Sequence, residues 1–259
     1  MDQERIINRI IGTVEAVIAG KQPSRFIISS SSEFQYLARA VNKLTECYHL
    51  AQETIRILSA ELQRNNAVAI MALIDALNAK DSYTGGHSER VSVYSLLLSE
   101  ELKLTSEEIE SIHIAAFLHD IGKIGISEHI LNKPEKLTSE EYELVKNHAD
   151  LSSQIVSKIP GLSHIVSVVK HHHERHDGSG YPDRLKGDSI PLGARILAIA
   201  DAFDAMTSSR PYRIAFKPKD ALQEIKKYAG TQFNPELADL FVKAYSKTYG
   251  KRIPNINAS

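Results

Sequence analysis

The sequence predicts an all-α protein. Apolar residues recur at helical spacing along most of the chain, two Thr-x-x-Glu capping boxes open helices, and no stretch convincingly alternates apolar and polar residues as a strand does. The 259 residues are 42% hydrophobic and 24% charged, ordinary globular composition with room for one large core or two modules. With 31 basic and 32 acidic residues the formal charge is -1, which argues against a nucleic acid polymer or an anionic membrane surface as the main partner. The single cysteine, Cys47, leaves no disulfide framework and no cysteine-based zinc site, and fits a reducing compartment. Apolar runs such as FII and ILAIA are far shorter than the about 20 residues a bilayer span needs. The charged start MDQERIINRI lacks the apolar region of a signal peptide, so a soluble, cytoplasmic protein without a membrane span is expected.

The elements follow in order. Residues 5–18 place Ile7, Ile10, Ile11, Val14, Val17 and Ile18 on one helical stripe, and AGKQPSRFIISSSS (19–32) then breaks the helix with Gly20, Pro23 and a run of serines. From Phe34 the apolar positions Leu37, Val41, Leu44, Tyr48, Ala51, Ile55, Leu58 and Leu62 advance in alternating steps of three and four, the heptad signature of a coiled coil. A helix cannot bury so narrow a seam against itself, so a homodimer through parallel N-terminal helices is expected. Further helical patterns cover 67–81, 85–102, 105–123, 138–159, 163–176, 191–207, 217–230 and 234–249, those at 105 and 138 opening on the capping boxes Thr105/Glu108 and Thr138/Glu141. Residues 177–190, rich in Gly, Pro and Asp, read as a loop.

Ligand-type residues are spread over these helices: His87, the pair His119-Asp120, His148, the pair His172-His173, and Asp201. His119-Asp120 and Asp201 follow the apolar segments AAFL and ILAIA, which should face a core. An imidazole or carboxylate at the edge of a core needs a compensating partner, and one metal can serve several such groups. Helical bundles build metal sites in this way, from facing helices. Imidazole and carboxylate donors without thiolate suit iron, manganese or zinc, and argue against copper(I) and iron–sulfur clusters. Neighbouring side chains on a helix diverge by about 100°, so His119 and Asp120 could serve different sides of a metal pair, with the carboxylate bridging.

HDIGK (119–123), HHERHDGSGYP (172–182) and DAFDAMTSSRPYR (201–213), together with TGGHSERV (84–91) and His148 in VKNH, resemble the HD-GYP family of HD-domain metal-dependent phosphohydrolases over about residues 67–250. Residues 4–54, with Gly20, Glu33 and LARAVNKL (37–44), resemble a HAMP signalling module. The expected layout is a HAMP-like module over 1–54, a coiled-coil linker helix over 55–66 and a helical HD-domain bundle over 67–259. The resemblance implies hydrolysis of the second messenger cyclic di-GMP to pGpG or GMP; some members prefer cyclic GMP-AMP. It implies metal ligands at His87, His119, Asp120, His148, His172, His173 and Asp201. Members that hold three metals use a Glu four positions before the first histidine; Tyr83 stands there in this chain, so two divalent ions are expected, iron or manganese foremost and zinc compatible.

In such a site a metal-bridging hydroxide is the expected nucleophile. Lys123, four residues beyond His119, is expected to contact the scissile phosphate or protonate the leaving oxygen. Arg210 and Arg213 are expected to grip phosphates, Tyr181 to lie beside the substrate, and Gly178 and Gly180 to permit a tight positive-φ loop. Glu174 and Asp177 are expected to orient ligand histidines or cap the loop; Asp204 is left open between orienting a ligand and packing helices. His171 and His176 are expected to be bystanders, and His49, His113, His129 and His164 surface or packing residues. The competing readings are a non-catalytic cyclic-dinucleotide receptor and an HD hydrolase acting on another phosphoester. The retained ligand set disfavours the first, and the GYP and RPYR segments disfavour the second.

Overall fold

The computed structural model describes residues 3–21, 32–80, 86–208 and 215–249. Tyr83, Arg210 and Arg213 lie outside them. Every helix or strand among the described residues is helical; the one β feature is an isolated bridge between Ala229 and Phe233. The chain divides into two compact units, Met1–Ala67 and Val68–Ser259.

In the first unit, α1 (Gln3–Ile18) ends at Gly20, whose φ of 71° admits a left-handed cap. The amides of Gly20 and Lys21 turn back onto the carbonyls of Val17 and Ala16, closing a Schellman motif. Helix α2 (Ser32–Lys80) then runs for 49 residues, since neither Gly nor Pro interrupts it. Of its heptad seam, Val41 is buried, whereas Leu37, Leu44, Tyr48, Ile55, Leu58 and Leu62 are all exposed.

The second unit packs the end of α2 with α3 (His87–Glu101), α4 (Ser106–Leu118), α5 (Glu128–Leu131), α6 (Ser139–Lys146), α7 (His148–Val156), α8 (Val166–Lys170), α9 (Leu192–Thr207), α10 (Pro218–Lys227) and α11 (Pro235–Tyr249). Both capping boxes are present, on α4 and α6. Helix α9 is apolar nearly all round and is correspondingly enclosed. It gives Leu197 and Ala200 to a core with Ile74, Val91, Leu118, Ile121 and Val169, and Ile196, Ile199 and Phe203 to a second core with Leu98, Ile225 and Phe241.

Helix ends depart from the sequence expectation at the residues that carry chemistry. The helix expected over 105–123 stops at Leu118, a short 3-10 helix follows at Ile121–Gly125, the helix expected over 138–159 divides at Asn147, and that over 163–176 stops at Lys170. The cause is shared: the last carbonyls of a helix have no intrahelical partner, and here imidazoles supply one. The Nδ1–H of His119 donates to Ala116 O (2.7 Å), that of His148 to Val145 O (2.6 Å) and that of His172 to Val169 O (2.6 Å). The pairs His119-Asp120 and His172-His173 therefore diverge as turn residues, not as neighbours on a continuous helix.

The 3-10 helix lies directly against α7. The Gly122 amide donates to Ser152 Oγ (2.8 Å), and a Cβ on Gly122 would stand 2.2 Å from the His148 carbonyl oxygen and 2.5 Å from the Ser152 nitrogen. Gly122→Ala is expected to force these backbones apart and to cost about 1–3 kcal/mol of stability. Denaturant unfolding should show a lower midpoint with an unchanged m-value, and a midpoint equal to wild type would mean that this contact gives way freely.

Candidate metal centre

The seven residues expected to ligate metal come together in the second unit, although they derive from α3, the α4 terminus, α7, the turn after α8, and α9. They form two groups whose donor atoms lie within 4.8 Å of one another: Asp120, His148, His172 and His173 in one, His87, His119 and Asp201 in the other. Asp120 stands between them. Its Oδ1 is 3.3 Å from His148 Nε2, while its Oδ2 is 3.4 Å from His119 Nε2 and 3.7 Å from His87 Nε2. His87 Nε2 lies 3.4 Å from Asp201 Oδ1, and the Nε2 atoms of His148 and His172 are 3.4 Å apart.

Four of the five rings, those of His87, His119, His148 and His172, are aimed by their other nitrogen. The carbonyls that accept from His119, His148 and His172 fix the proton on Nδ1, which leaves Nε2 as a lone pair directed inward. For His87 the acceptor is a carboxylate, Asp204 Oδ2 at 2.8 Å, itself held by Arg90 Nε at 2.6 Å from Oδ1. His119 Nε2 is fully buried with no hydrogen-bond partner, an orphaned lone pair facing the other donors. Such an atom is costly unless something coordinates it, and imidazoles converging with carboxylates make a donor set that fits divalent metal ions.

The electrostatics agree. Burial by itself opposes ionisation of Asp120, but Lys123 and the imidazoles of His119, His148 and His87 outweigh it and hold the carboxyl well below its usual range. Burial pushes His148 and His172 down, and His173 down to about 3, so all three remain neutral near neutral pH. His87 moves the other way: burial disfavours its charge, yet the hydrogen bond to Asp204 and the charges of Asp201 and Asp120 raise its pKa.

Lys123 sits in the 3-10 helix and not a helical turn beyond His119, and its Nζ lies 2.6 Å from Asp120 Oδ2. Tyr181 is half-buried with its ring 4.9 Å from that of His173. In the GYP loop Gly178 has a φ of 83°, but Gly180 does not share the positive φ expected of it. Gly180 is needed for close approach, since a Cβ there would stand 2.4 Å from the Arg175 nitrogen. Glu174 Oε1 accepts from the Asp183 amide (2.7 Å), and Asp177 Oδ1 accepts from the Ser179 amide (2.9 Å), so both brace the loop. His171, expected to be a bystander, is buried and bridges the Ser167 carbonyl (2.8 Å) and Asp183 Oδ2 (2.9 Å), tying the loop to α8. His113 is a packing residue, with Ser92 Oγ at 2.6 Å from Nδ1 and its ring edge-on to Phe117. Arg90 lies in the TGGHSERV segment three residues after His87, and Asp204 one turn after Asp201 on the same helix, but the sequence assigns no role to Arg90.

The cluster forms the floor of a cleft of about 1440 Å³ walled by α6, the GYP loop and α9. Residues 71–237 match the family model described as the HD domain. A cyclic di-GMP phosphodiesterase of Vibrio cholerae is 32% identical over 250 residues, which cover 91% of this chain and 49% of that protein. The 3'3'-cGAMP-specific phosphodiesterase 3 of the same organism is 40% identical over 168 residues, 65% of this chain and 36% of that protein. The chain thus spans about half the length, or less, of these curated relatives. A crystal structure titled as a cyclic GMP-AMP specific phosphodiesterase of V. cholerae shares the fold, with a TM-score of 0.54 at 18% identity over 73% of this chain and 51% of that one.

If Asp204 orients His87, Asp204→Ala should weaken divalent-metal binding by roughly 10- to 100-fold. Metal titration of the full chain reads this directly, and an unchanged affinity would show that His87 is aimed without Asp204.

Proposed function

The chain belongs to the HD-domain family, and from that premise we propose that it is a metal-dependent phosphodiesterase that hydrolyses cyclic di-GMP to pGpG, GMP or both. The observation that carries the reading is Asp120, whose two oxygens face two separate groups of donors. His87, His119 and Asp201 would hold one divalent ion and His148, His172 and His173 a second, Asp120 serving both; iron or manganese fits first, and zinc is compatible. The chemistry such ions supply when bound is polarisation of the phosphoryl oxygens and acidification of water.

The chain's own residues do the rest. Among the described residues Lys123 reaches the donors directly, at Asp120, and would contact the scissile phosphate or give a proton to the leaving oxygen. Tyr181 closes one side of the floor and would lie against the substrate. Arg210 and Arg213, in the RPYR segment, would grip the phosphates. Residues 1–54 would form a signalling module and 55–66 a linker into the HD domain at 67–259, with two copies of α2 joined along the exposed seam. No described helix is long and apolar enough to cross a membrane, and together with the single cysteine this fits action in the cytoplasm. A second reading, cyclic GMP-AMP as substrate, draws support from the 40% identical relative named for that activity.

The test is turnover of cyclic di-GMP and of cyclic GMP-AMP by the metal-loaded chain beside His119→Ala and Asp120→Ala. Both variants should lose activity by roughly a hundredfold or more, as loss of several kcal/mol of charge stabilisation implies. Binding without turnover at full metal loading would instead make the chain a receptor. For the dimer, Leu58→Glu with Leu62→Glu should halve the mass seen by light scattering, and an unchanged mass would remove the seam from the assembly.

A further inference from the structure

Helix α6 is set close to the donor cluster. Its start is fixed by the Thr138 capping box and by Lys133, whose Nζ lies 2.7 Å from Glu141 Oε2. At its other end Lys146 is followed by Asn147 and then by His148, whose Nδ1–H caps the Val145 carbonyl. Yet none of its residues is buried, so the helix is not placed there to complete a core.

What it offers the cleft is an aromatic ring and a cation one turn apart. Tyr142 is 48% exposed, and Lys146 Nζ stands 4.9 Å from the centroid of its ring and 5.6 Å from that of Tyr181. Tyr181 in turn lies against His173. A continuous ladder therefore climbs from the cluster through His173, Tyr181 and Lys146 to Tyr142 at the rim. Among the described residues Lys146 pairs with the carboxylate of Glu143, 2.6 Å away, whose side chain is 68% exposed. Pairs of that kind contribute little and yield readily to a better anion.

A cyclic dinucleotide carries two phosphates and two purines. With one phosphate at the buried donors, the other phosphate and a base must extend along a wall of the cleft. A cation held between two rings suits the phosphate, and an exposed tyrosine gives a purine a face on which to stack. We propose that Tyr142 stacks on one purine of the cyclic dinucleotide and that Lys146 binds the phosphate that is not cleaved, which makes α6 the wall that selects a dinucleotide over a small phosphodiester. This rests on the function proposed above and assigns the substrate-positioning residues for it.

The experiment is calorimetric titration of the full metal-loaded chain with a non-hydrolysable phosphorothioate analogue of cyclic di-GMP at several salt concentrations, for wild type, Tyr142→Ala, Tyr142→Phe and Lys146→Met. Thermal midpoint and metal content verify that each variant is folded. Loss of base stacking should raise the Kd of Tyr142→Ala by roughly 5- to 150-fold, while Tyr142→Phe, which keeps the ring, stays close to wild type. Lys146→Met should bind more weakly and with a shallower dependence on salt, because one phosphate contact is gone. Tyr142→Ala and Lys146→Met binding as tightly as wild type would overturn the assignment while leaving the dinucleotide reading intact. Wild type failing to bind the analogue would overturn both.

Discussion

Helix termini leave carbonyl oxygens without partners, and in this chain the imidazoles of the donor cluster satisfy them. His119, His148 and His172 each turn Nδ1–H back onto a carbonyl three residues earlier. That single contact ends the helix, fixes the tautomer and aims Nε2 at the centre. The positions of the donors and the breaks in the bundle are thus one feature. Gly122 belongs to it as well, since the short 3-10 helix after Asp120 can approach α7 only where no side chain intervenes.

So many polar groups gathered beneath the surface do not favour folding. Burying an imidazole or carboxylate without full hydrogen bonding costs free energy, and His119 Nε2 is left without a hydrogen-bond partner. The surroundings offset part of that cost. Burial keeps three imidazoles neutral, Lys123 foremost holds Asp120 ionised, and Arg90 and His87 hold Asp204 as a carboxylate although burial opposes it. The two apolar cores that share α9 supply the stability that tolerates such a site.

The GYP loop is braced in the same spirit, from several sides and by short contacts. Glu174 and His171 both reach Asp183, and the amides of His176 and Asp177 donate to Gln232 and Thr231 in the turn after α10. A loop held so firmly can keep Tyr181 against His173, which a loop secured only at its ends could not. The first unit shows the opposite economy. Its long helix carries apolar residues at heptad spacing that remain in contact with solvent, an arrangement that a second helix would complete.

Much of this was legible in the sequence. Helical periodicity and the capping boxes at Thr105 and Thr138 determined an all-α chain, because period and capping are local properties that survive whatever the helices pack against. The motifs TGGHSERV, HDIGK, VKNH, HHERHDGSGYP and DAFDAM named seven donor residues that the fold gathers into one cluster. Only the tertiary structure decided where the helices stop, since the imidazole caps compete with continuation of the helix and periodicity alone cannot register them. It also decided that Asp204 aims His87, that His171 anchors the loop, and that Gly180 is there for space and not for φ. Each of these depends on how a loop or a distant helix folds back or on the room around a backbone atom, and neither is written in helical periodicity.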